Sequence, residues 1–399
     1  MAMRAQQDIA IERGRSISAA ILMSCMFFSL GASIPFMPRW LEQDRGFNGV
    51  QIAIVLAGAQ MLRLLVGPVL GSWADRFHDR RTPLRVLSLI SLASFTIMAF
   101  THAFVGMAVL SFLAFSASSA IIPLAEGGAL RASKAGGWPF GLMRSIGSSC
   151  YILASVLVGY HVGAQGPGIA IGWLIAGLAM AGAYVWLLAP KDPAPARIAA
   201  SLPWHAGLRL LLRSRRLVLA LAAAGPIQAA HAFYYGFSTL VWRGQGLEPS
   251  LIGWLWACGT ATEIVFFLAL SRGERRIAPE WLLLAGGIGA MIRWGLMGLA
   301  PPLAWLWPLQ ALHALTFAAC HVGALRIVYE ETLEEHAGLA GALYGAISGG
   351  TMLGLTLLAS GWLYDHHGVH GYFAMAALGA LGLMFSLALA VQRKRQGIG

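Results

Sequence analysis

The sequence predicts an all-α integral membrane protein with twelve transmembrane helices in two six-helix bundles. Only 11% of its 399 residues are charged and 58% are hydrophobic, and a soluble domain could not bury so much apolar surface in one core. Most of the apolar runs are about 20 residues long or longer, and about 20 residues is the length that a helix needs to cross a bilayer. Basic residues concentrate in every second connection between these runs. Together these observations predict a polytopic helical membrane protein.

The apolar runs are predicted to be helices because a helix satisfies its own backbone hydrogen bonds in lipid. The first run is long, lacks a clear small-residue cleavage site and is followed by many others, so it is predicted to be a retained helix rather than a signal peptide. In chain order the predicted spans are 17–41, 48–74, 83–101, 103–130, 139–162, 167–189, 215–242, 249–271, 279–299, 302–328, 337–363 and 370–391.

The distribution of Lys and Arg predicts the orientation. Of the 28 basic residues, 22 fall in the two tails and in alternate connections, while the other connections hold only Arg39, Arg45 and Arg243. Since cationic residues near helix ends stay in the cytoplasm, both termini are predicted to be cytoplasmic in a bacterial inner (plasma) membrane. The net charge of +11 then favours contact with anionic membrane lipid rather than with nucleic acid.

The longest polar connection predicts the division into domains. Residues 191–215, rich in Pro and Arg, are predicted to form a cytoplasmic linker between an N-terminal bundle, 1–190, and a C-terminal bundle, 216–399. Transporters with two such bundles bind substrate near the bilayer midplane and expose it to each side in turn. The sequence contains no GxSxG, HExxH or GxxxxGK motif, so neither an enzyme nor ATP-driven transport is predicted.

No cofactor or metal is predicted either. The four cysteines lie singly in apolar segments and are interpreted as packing residues. Asp365, His366, His367 and His370 have some metal-ligand character, but they lack a closed ligand set and are predicted to form a solvated outer loop.

Away from the helix ends, the predicted helices contain five charged residues: Arg63, Glu126, Arg144, Glu263 and Arg293. A charge at the bilayer centre costs at least about 2.5–3.5 kcal/mol, so such residues usually face partners, water or substrate. Three cations against two carboxylates leave a positive surplus that suits an anionic ligand. A carboxylate kept protonated by burial would instead suit a proton carrier, and simple ion pairs between helices are a further alternative.

Polar side chains also line two predicted helices. Gln228, His231, Tyr235 and Ser238 follow one another at spacings of three, four and three, which places them on one helical stripe that is expected to face a wet cavity. His313 lies in the tenth predicted helix. Because histidine titrates near neutral pH, His231 and His313 are candidates for proton relay, although a packing role is also open.

The connection after the second predicted helix reads GSWADRFHDRR from Gly71 to Arg81. It resembles the GxxxDRxGRR signature of the major facilitator superfamily, with His78 and Asp79 in place of the usual Gly and basic residue. The resemblance implies the major facilitator fold. It also implies that Gly71, Asp75 and Arg76 act in conformational change rather than in ligand binding.

Within the superfamily the chain is similar to the lactose permease-like branch and, more closely, to carriers of phenylpropionate, through residues 31–41, 228–238, 293–298 and 309–326. The resemblance places Glu126 and Arg144 where the branch holds its sugar. It matches Arg63 and Glu263 to charged positions of the phenylpropionate carriers, and Arg293 and His313 to polar residues of the C-terminal cavity.

Two positions depart from the branch. Thr316 replaces its proton-carrying Glu, and Gln310 replaces a nearby Lys. If coupling is present, the proton site must therefore lie elsewhere, and Glu263 is the favoured carrier with His313 as a relay.

The expected function is proton-coupled symport of a small organic anion, such as the aromatic carboxylate phenylpropionate, by alternating access. An arginine is expected to bind the substrate carboxylate, because a guanidinium matches its planar geometry. The sequence does not decide which arginine does so, and Arg144 is the first candidate. The further predicted substrate contacts are Glu126, Arg63, Arg293, His231 and Tyr235. Symport of a sugar or nucleoside, and export of a drug-like compound, are the alternatives. The expected partners are a small-molecule substrate, a proton and membrane lipid, and the protein is expected to be a monomer.

Overall fold

The structure, a computed structural model, describes residues 2–74, 76–77, 79–191, 212, 214–273 and 277–395. Among these residues the side chains of 2–10, 63–65, 68, 71–72, 271–273, 334–335 and 337–338 are not described. Across the described ranges the chain is helical and forms no β-strand, which confirms the predicted all-α class. Nine helical segments in these ranges are long and apolar enough to cross a membrane.

The first half of the chain contains seven helices. Helix α1 is 44 residues long and extends beyond the predicted span at both ends. Helix α7 continues into a π-helical turn, Tyr184–Leu188. The bounds are α1 Ala2–Arg45, α2 Gly49–Met61, α3 Arg63–Ala74, α4 Arg81–Phe100, α5 Phe104–Lys134, α6 Phe140–Gln165 and α7 Gly168–Ala183.

The second half contains shorter helices with more interruptions. Two π-helical turns, Ala314–Ala319 and Ala346–Met352, and one 3-10 turn, Gly368–Gly371, lie between them. The bounds are α8 Arg215–Ala229, α9 Ala232–Gly244, α10 Pro249–Gly273, α11 Pro279–Met297, α12 Leu303–Ala311, α13 Cys320–Glu331, α14 Glu334–Gly345, α15 Leu353–His367 and α16 Tyr372–Arg395.

The number of membrane crossings stays a prediction. One apolar segment, Leu339–Arg395, is 57 residues long, which is enough for two crossings, and the turn at Gly368–Gly371 interrupts it. Helix α2 has 13 residues and α3 has 12, and only Leu62 separates them.

The chain forms two compact units that do not follow the predicted domain boundary at every segment. The first unit comprises Met1–Gly46, Val66–Ala196 and Glu248–Ala257, and the second comprises Phe47–Leu65, Arg197–Leu247 and Cys258–Gly399. Close backbone packing explains why residues 47–65 belong to the second unit and residues 248–257 to the first. Within the second unit, Gly361 lies so near the Gly49 carbonyl that a Cβ there would be 2.5 Å from its oxygen. Within the first, Gly253 approaches the Ser155 carbonyl in the same way. The bundles 1–190 and 216–399 remain a prediction.

Two helix interruptions in the second unit follow proline. Helix α8 contains Pro226 and α12 contains Pro308, and proline both lacks an amide hydrogen and crowds the preceding turn. The amide of Ala230 donates to the Pro226 carbonyl at 2.9 Å, and the amide of Leu312 donates to the Pro308 carbonyl at 3.2 Å. The next residue in each case is a histidine at the break. Interrupted helices of this kind form binding sites in membrane transporters.

Candidate substrate and proton site

The second unit contains a fully buried arginine. Arg293 lies on α11 and is 0% exposed. Its Nη1 donates to His313 Nδ1 and Thr316 Oγ1, each at 3.1 Å, and its Nη2 donates to Gln310 Oε1 at 3.0 Å. All three acceptors are neutral groups. Among the described residues, no carboxylate oxygen lies within 4.0 Å of this guanidinium, the distance that defines an ion pair.

Aromatic rings enclose the same guanidinium. The Arg293 Cζ lies 4.8 Å from the ring centroid of Tyr234 and 4.3 Å from that of Trp294, within range for cation–π attraction. The Tyr234 hydroxyl donates to Gln310 Oε1 at 3.0 Å. Two buried donors, Arg293 Nε and Gln310 Nε2, find no acceptor in the described part of the chain. The cluster can therefore give more hydrogen bonds than it makes, as a site for an oxygen-rich anion should.

His231 fixes one edge of this cluster at the break between α8 and α9. Its Nδ1 lies 3.1 Å from the Gln228 carbonyl oxygen, which can only accept, so Nδ1 carries the proton. Its Nε2 lies 3.0 Å from Thr316 Oγ1 and accepts from that hydroxyl when the ring is neutral. The Thr316 oxygen accepts in turn from Arg293. Tyr235 stacks on the His231 ring with centroids 5.7 Å apart.

His313 connects the arginine to a carboxylate. Because its Nδ1 accepts from Arg293, the neutral ring carries its proton on Nε2. That nitrogen lies 3.9 Å from Glu263 Oε2, close enough for electrostatic attraction but too long for a hydrogen bond. His313 also contacts the His231 ring, with centroids 5.4 Å apart. One cluster in the second unit thus joins an arginine, two histidines and, through His313, a glutamate.

The first unit holds a different arrangement. Arg144 on α6 forms an ion pair with Glu126 on α5 through Nη1 and Oε1. The two side chains are 40% and 30% exposed, respectively. The Arg144 Cζ also lies 4.5 Å from the ring centroid of Phe27. This arginine already has a carboxylate partner, and the pair can offer hydrogen bonds to a polar ligand.

The structure brings together some of the residues predicted to form the site. His231, Tyr235, Glu263, Arg293 and His313 lie in the second-unit cluster described above, whereas Glu126 and Arg144 form their own pair in the first unit.

The remaining predicted residues are Arg63, Gly71, Asp75 and Arg76. Arg63 is the first residue of α3, but its side chain is not among the described ones. Gly71 lies in α3, Asp75 falls outside the described residues, and Arg76 is exposed just after α3. The Arg76 amide donates to the Trp73 carbonyl at 3.2 Å.

The residues with metal-ligand character near the end of α15 have separate partners. The Asp365 carboxylate accepts from the Gly49 and Val50 amides at 2.7 and 3.0 Å, so it caps α2. His366 Nδ1 bonds the Trp362 carbonyl, and His370 Nδ1 bonds the Gly298 carbonyl. Over the described residues, no group of three metal-ligating side chains is present.

Sequence reasoning noticed Gln310 and Thr316 only as departures from a family pattern. A signal was present. Residues 226–231 read PIQAAH and residues 308–313 read PLQALH, so the same pattern of Pro, Gln, Ala and His occurs twice. Each copy ends at a helix break, and the two histidines are in ring contact. Such a repeated break would have predicted that the two segments share one site.

Comparison with known proteins gives a family match. A family model described as "MFS_1 like family" matches residues 17–375. The chain is 32% identical over 365 residues to the "Probable 3-phenylpropionic acid transporter" of Escherichia coli (strain K12), with 90% of this chain and 93% of that protein covered. It is 25% identical over 381 residues to the "Maltose permease" of Geobacillus stearothermophilus, covering 93% and 94% of the two chains.

Solved structures show the same fold at lower identity. The nucleoside transporter NupG matches with a TM-score of 0.77 at 15% identity, over 94% of this chain and 98% of that one. The POT family transporter PepTSo matches with a TM-score of 0.68 at 14% identity, over 97% and 99% of the two chains.

Proposed function

This chain belongs to the MFS_1 like family, and from that premise we propose that it is a proton-coupled symporter of a small organic anion. The family makes it a multi-pass membrane transporter rather than an enzyme. The proposed substrate class is an aromatic carboxylate such as phenylpropionate, moved by alternating access. A relative at 32% identity is described as a "Probable 3-phenylpropionic acid transporter", which supports this class.

The observation that carries the proposal is the state of Arg293. A buried cation without an opposite charge is unfavourable, and this guanidinium is 0% exposed and bonded to neutral acceptors. A substrate carboxylate would supply the opposite charge and accept the spare Nε–H. We therefore place Arg293 ahead of Arg144 as the carboxylate-binding residue, because Arg144 is already paired with Glu126.

The enclosing rings account for the aromatic part of the substrate. Tyr234 and Trp294 flank the guanidinium, and Tyr235 stacks on His231 nearby. Aromatic pairs prefer stacked or edge-to-face arrangements that add about 0.5–1.5 kcal/mol beyond area burial. A phenyl ring attached to a carboxylate by a short aliphatic chain has the two features that these rings and Arg293 would recognise.

The proposed coupling runs through His313. Its neutral ring accepts from Arg293 at Nδ1, but a protonated ring donates from both nitrogens and can no longer accept. Protonation of His313 would thus release one Nη1 bond of Arg293 and favour substrate binding there. The Glu263 carboxylate, 3.9 Å from His313 Nε2, would receive or supply that proton. Binding of proton and anion would then reinforce one another, as symport requires.

The remaining predicted residues keep their proposed roles. Arg63, Glu126, Arg144, His231 and Tyr235 are proposed substrate contacts. Gly71, Asp75 and Arg76 are proposed to act in the conformational cycle.

The proposed setting also follows the sequence. Bundles 1–190 and 216–399 are joined by the linker 191–215, in a monomer whose termini face the cytoplasm of a bacterial inner membrane.

Uptake by the purified protein in proteoliposomes tests the proposal. Labelled 3-phenylpropionate should accumulate when the outside is made acidic, and Glu263→Gln should abolish accumulation against a gradient while leaving exchange of internal for external substrate. Glu42→Gln is the control, because Glu42 pairs with Arg39 at 2.6 Å in a predicted outer connection. The proposed coupling would be refuted if wild-type uptake did not depend on the proton gradient, or if Glu263→Gln and Glu42→Gln lost accumulation equally.

A neutral sugar or nucleoside is the second candidate substrate. The observation that favours it is the half-exposed Glu126–Arg144 pair, which could hold hydroxyl groups through both a donor and an acceptor. Competition separates the two classes: excess maltose or a nucleoside should leave phenylpropionate uptake unchanged if the anion is the substrate. Movement of substrate opposite to the proton would instead support export.

A further inference from the structure

A cavity lies inside the first unit, apart from both groups of residues already described. It is bordered by α1, α4, α5 and the π-helical turn after α7, and it has a volume of about 190 Å³. A single water needs roughly 10–15 Å³ by this measure, so the cavity has room for a group the size of a lipid headgroup. All four bordering segments contribute residues from the same end of the unit, which the distribution of basic residues predicts to be cytoplasmic.

The polar lining of this cavity is basic. Among the described residues, three arginines, Arg15, Arg81 and Arg131, line it with one carboxylate, Glu12. Tyr184 adds a phenol from the π-helical turn. Three guanidinium groups around one small cavity form a set of donors suited to an anion with several oxygens.

Neighbouring carboxylates hold Arg15 and Arg81 in place. Within the described part of the chain Arg15 contacts Glu12 through Nη1, which leaves its Nε and Nη2 as donors, since a guanidinium carries five N–H groups. Arg81 is held by Asp79 at 2.7 Å, and its Nη1 donates to the Ala189 carbonyl at 3.4 Å. Part of the wall is apolar and is formed by Leu22, Leu84 and Leu124.

We propose that this cavity binds a phosphate-bearing anion, with Arg15 and Arg131 as the principal contacts. Arginine matches phosphate oxygens in bidentate geometry, and basic pockets between transmembrane helices on the cytoplasmic side bind anionic headgroups. An anionic phospholipid headgroup or a free phosphate group would satisfy the same donors. The leucines beside the arginines favour a ligand with an apolar part attached. This site is independent of the substrate proposed for the transporter.

Thermal unfolding of the detergent-solubilised full chain tests the site with three probes. Phosphatidylglycerol is the anionic lipid, phosphatidylcholine is the lipid of zero net charge, and inorganic phosphate is the soluble anion, compared with sodium chloride at equal ionic strength. A ligand that prefers the native state raises the apparent melting temperature. A shift with phosphatidylglycerol alone identifies a headgroup site, and a shift with inorganic phosphate identifies a soluble phosphate site. No preference for either anion over its control overturns the proposal.

Matched variants locate the effect. Arg15→Gln and Arg131→Gln should each weaken binding of the active probe about fivefold, equivalent to about 1 kcal/mol. Arg243→Gln is the control, because it removes one positive charge at the other predicted end of the protein, where Arg243 donates to the Leu247 carbonyl. Arg15→Lys and Arg131→Lys keep the charge and should lose less. If Arg243→Gln weakened binding of the active probe as much as Arg15→Gln and Arg131→Gln, the effect would be one of general charge, and the proposed site would be wrong. The lysine variants provide the same comparison if a glutamine variant does not fold.

Discussion

Arg144 and Arg293 are both arginines inside predicted membrane helices, yet they differ in exposure and in the charge of their hydrogen-bond partners. Arg144, in the first unit, is 40% exposed and paired with the Glu126 carboxylate. Arg293, in the second unit, is 0% exposed and bonded to His313, Thr316 and Gln310, which are all neutral. The first charge is balanced by the protein. The second requires a balancing charge from elsewhere, and we assign that role to the substrate.

The comparison separates two uses of a charge in a membrane protein. An arginine that is paired and half-exposed contributes little net energy, because water screens it and its partner already satisfies it. An arginine that is buried among neutral acceptors keeps much of its capacity to bind an anion. The sequence did not decide which arginine binds the carboxylate, and Arg144 was only the first candidate, because a sequence does not show which charges are paired.

The largest expected effect is at Arg293. Arg293→Gln should lower the initial rate of phenylpropionate uptake at limiting substrate by about 100-fold or more, because two charge-assisted hydrogen bonds of about 1.5–3 kcal/mol each are lost. Uptake of labelled substrate into proteoliposomes measures the change. Arg293→Lys should recover little activity, because an ammonium cannot reproduce the planar set of donors.

Stability without substrate provides the control for Arg293→Gln. Arg293→Gln removes a buried charge that lacks an opposite charge and so relieves its desolvation cost; the apparent melting temperature should therefore stay within a few degrees of wild type or rise. If Arg293→Gln lowered the apparent melting temperature but left the transport rate per folded molecule unchanged, Arg293 would stabilise the fold rather than bind the substrate.

Much of the fold was predictable because hydropathy reports directly on contact with lipid. The spans 139–162 and 279–299 differ by only a few residues from α6 and α11, Phe140–Gln165 and Pro279–Met297. The interruptions were not predicted. Residues 302–328 read as one continuous apolar helix, but the structure has a break at Leu312 followed by a π-helical turn, Ala314–Ala319. An apolar run records burial in lipid, whereas a break depends on local backbone hydrogen bonding.

The candidate site was partly predictable for a related reason. The spacing of His231 and Tyr235 placed them together on one helix, and their stacked rings agree with that expectation. The partners of Arg293 were not accessible, because they lie on other helices and helix–helix register leaves no local pattern. Only the repeated PxQAxH sequence connects the two segments, and its meaning depends on the contact between His231 and His313.

The next largest effect is expected at Thr316, which lies between Arg293 and His231. Thr316→Val keeps the shape but removes the hydroxyl, and a buried partner left unsatisfied costs about 1–3 kcal/mol. Uptake of phenylpropionate should fall about tenfold, through a higher KM, because Arg293 loses one of its anchors. Thr316→Ser restores the hydroxyl and should recover most of the activity. Equal loss in the serine and valine variants would assign the effect to packing of the Thr316 methyl group instead.

The smallest effect is expected at Arg144, and measuring it is the most direct test of the difference proposed between Arg144 and Arg293. Arg144→Gln leaves Glu126 half-exposed to solvent, so the cost should be no more than about 1 kcal/mol, or about fivefold in uptake at limiting substrate. Glu126→Gln should behave similarly, and the double variant Glu126→Gln with Arg144→Gln should be no worse than either single change, because the pair neutralises itself. Uptake of labelled phenylpropionate, measured beside Arg293→Gln in the same vesicles, gives the ranking. If Arg144→Gln lost 100-fold while Arg293→Gln lost little, the balanced arginine would be the one that binds the anion, and the roles assigned to the two units would have to be exchanged.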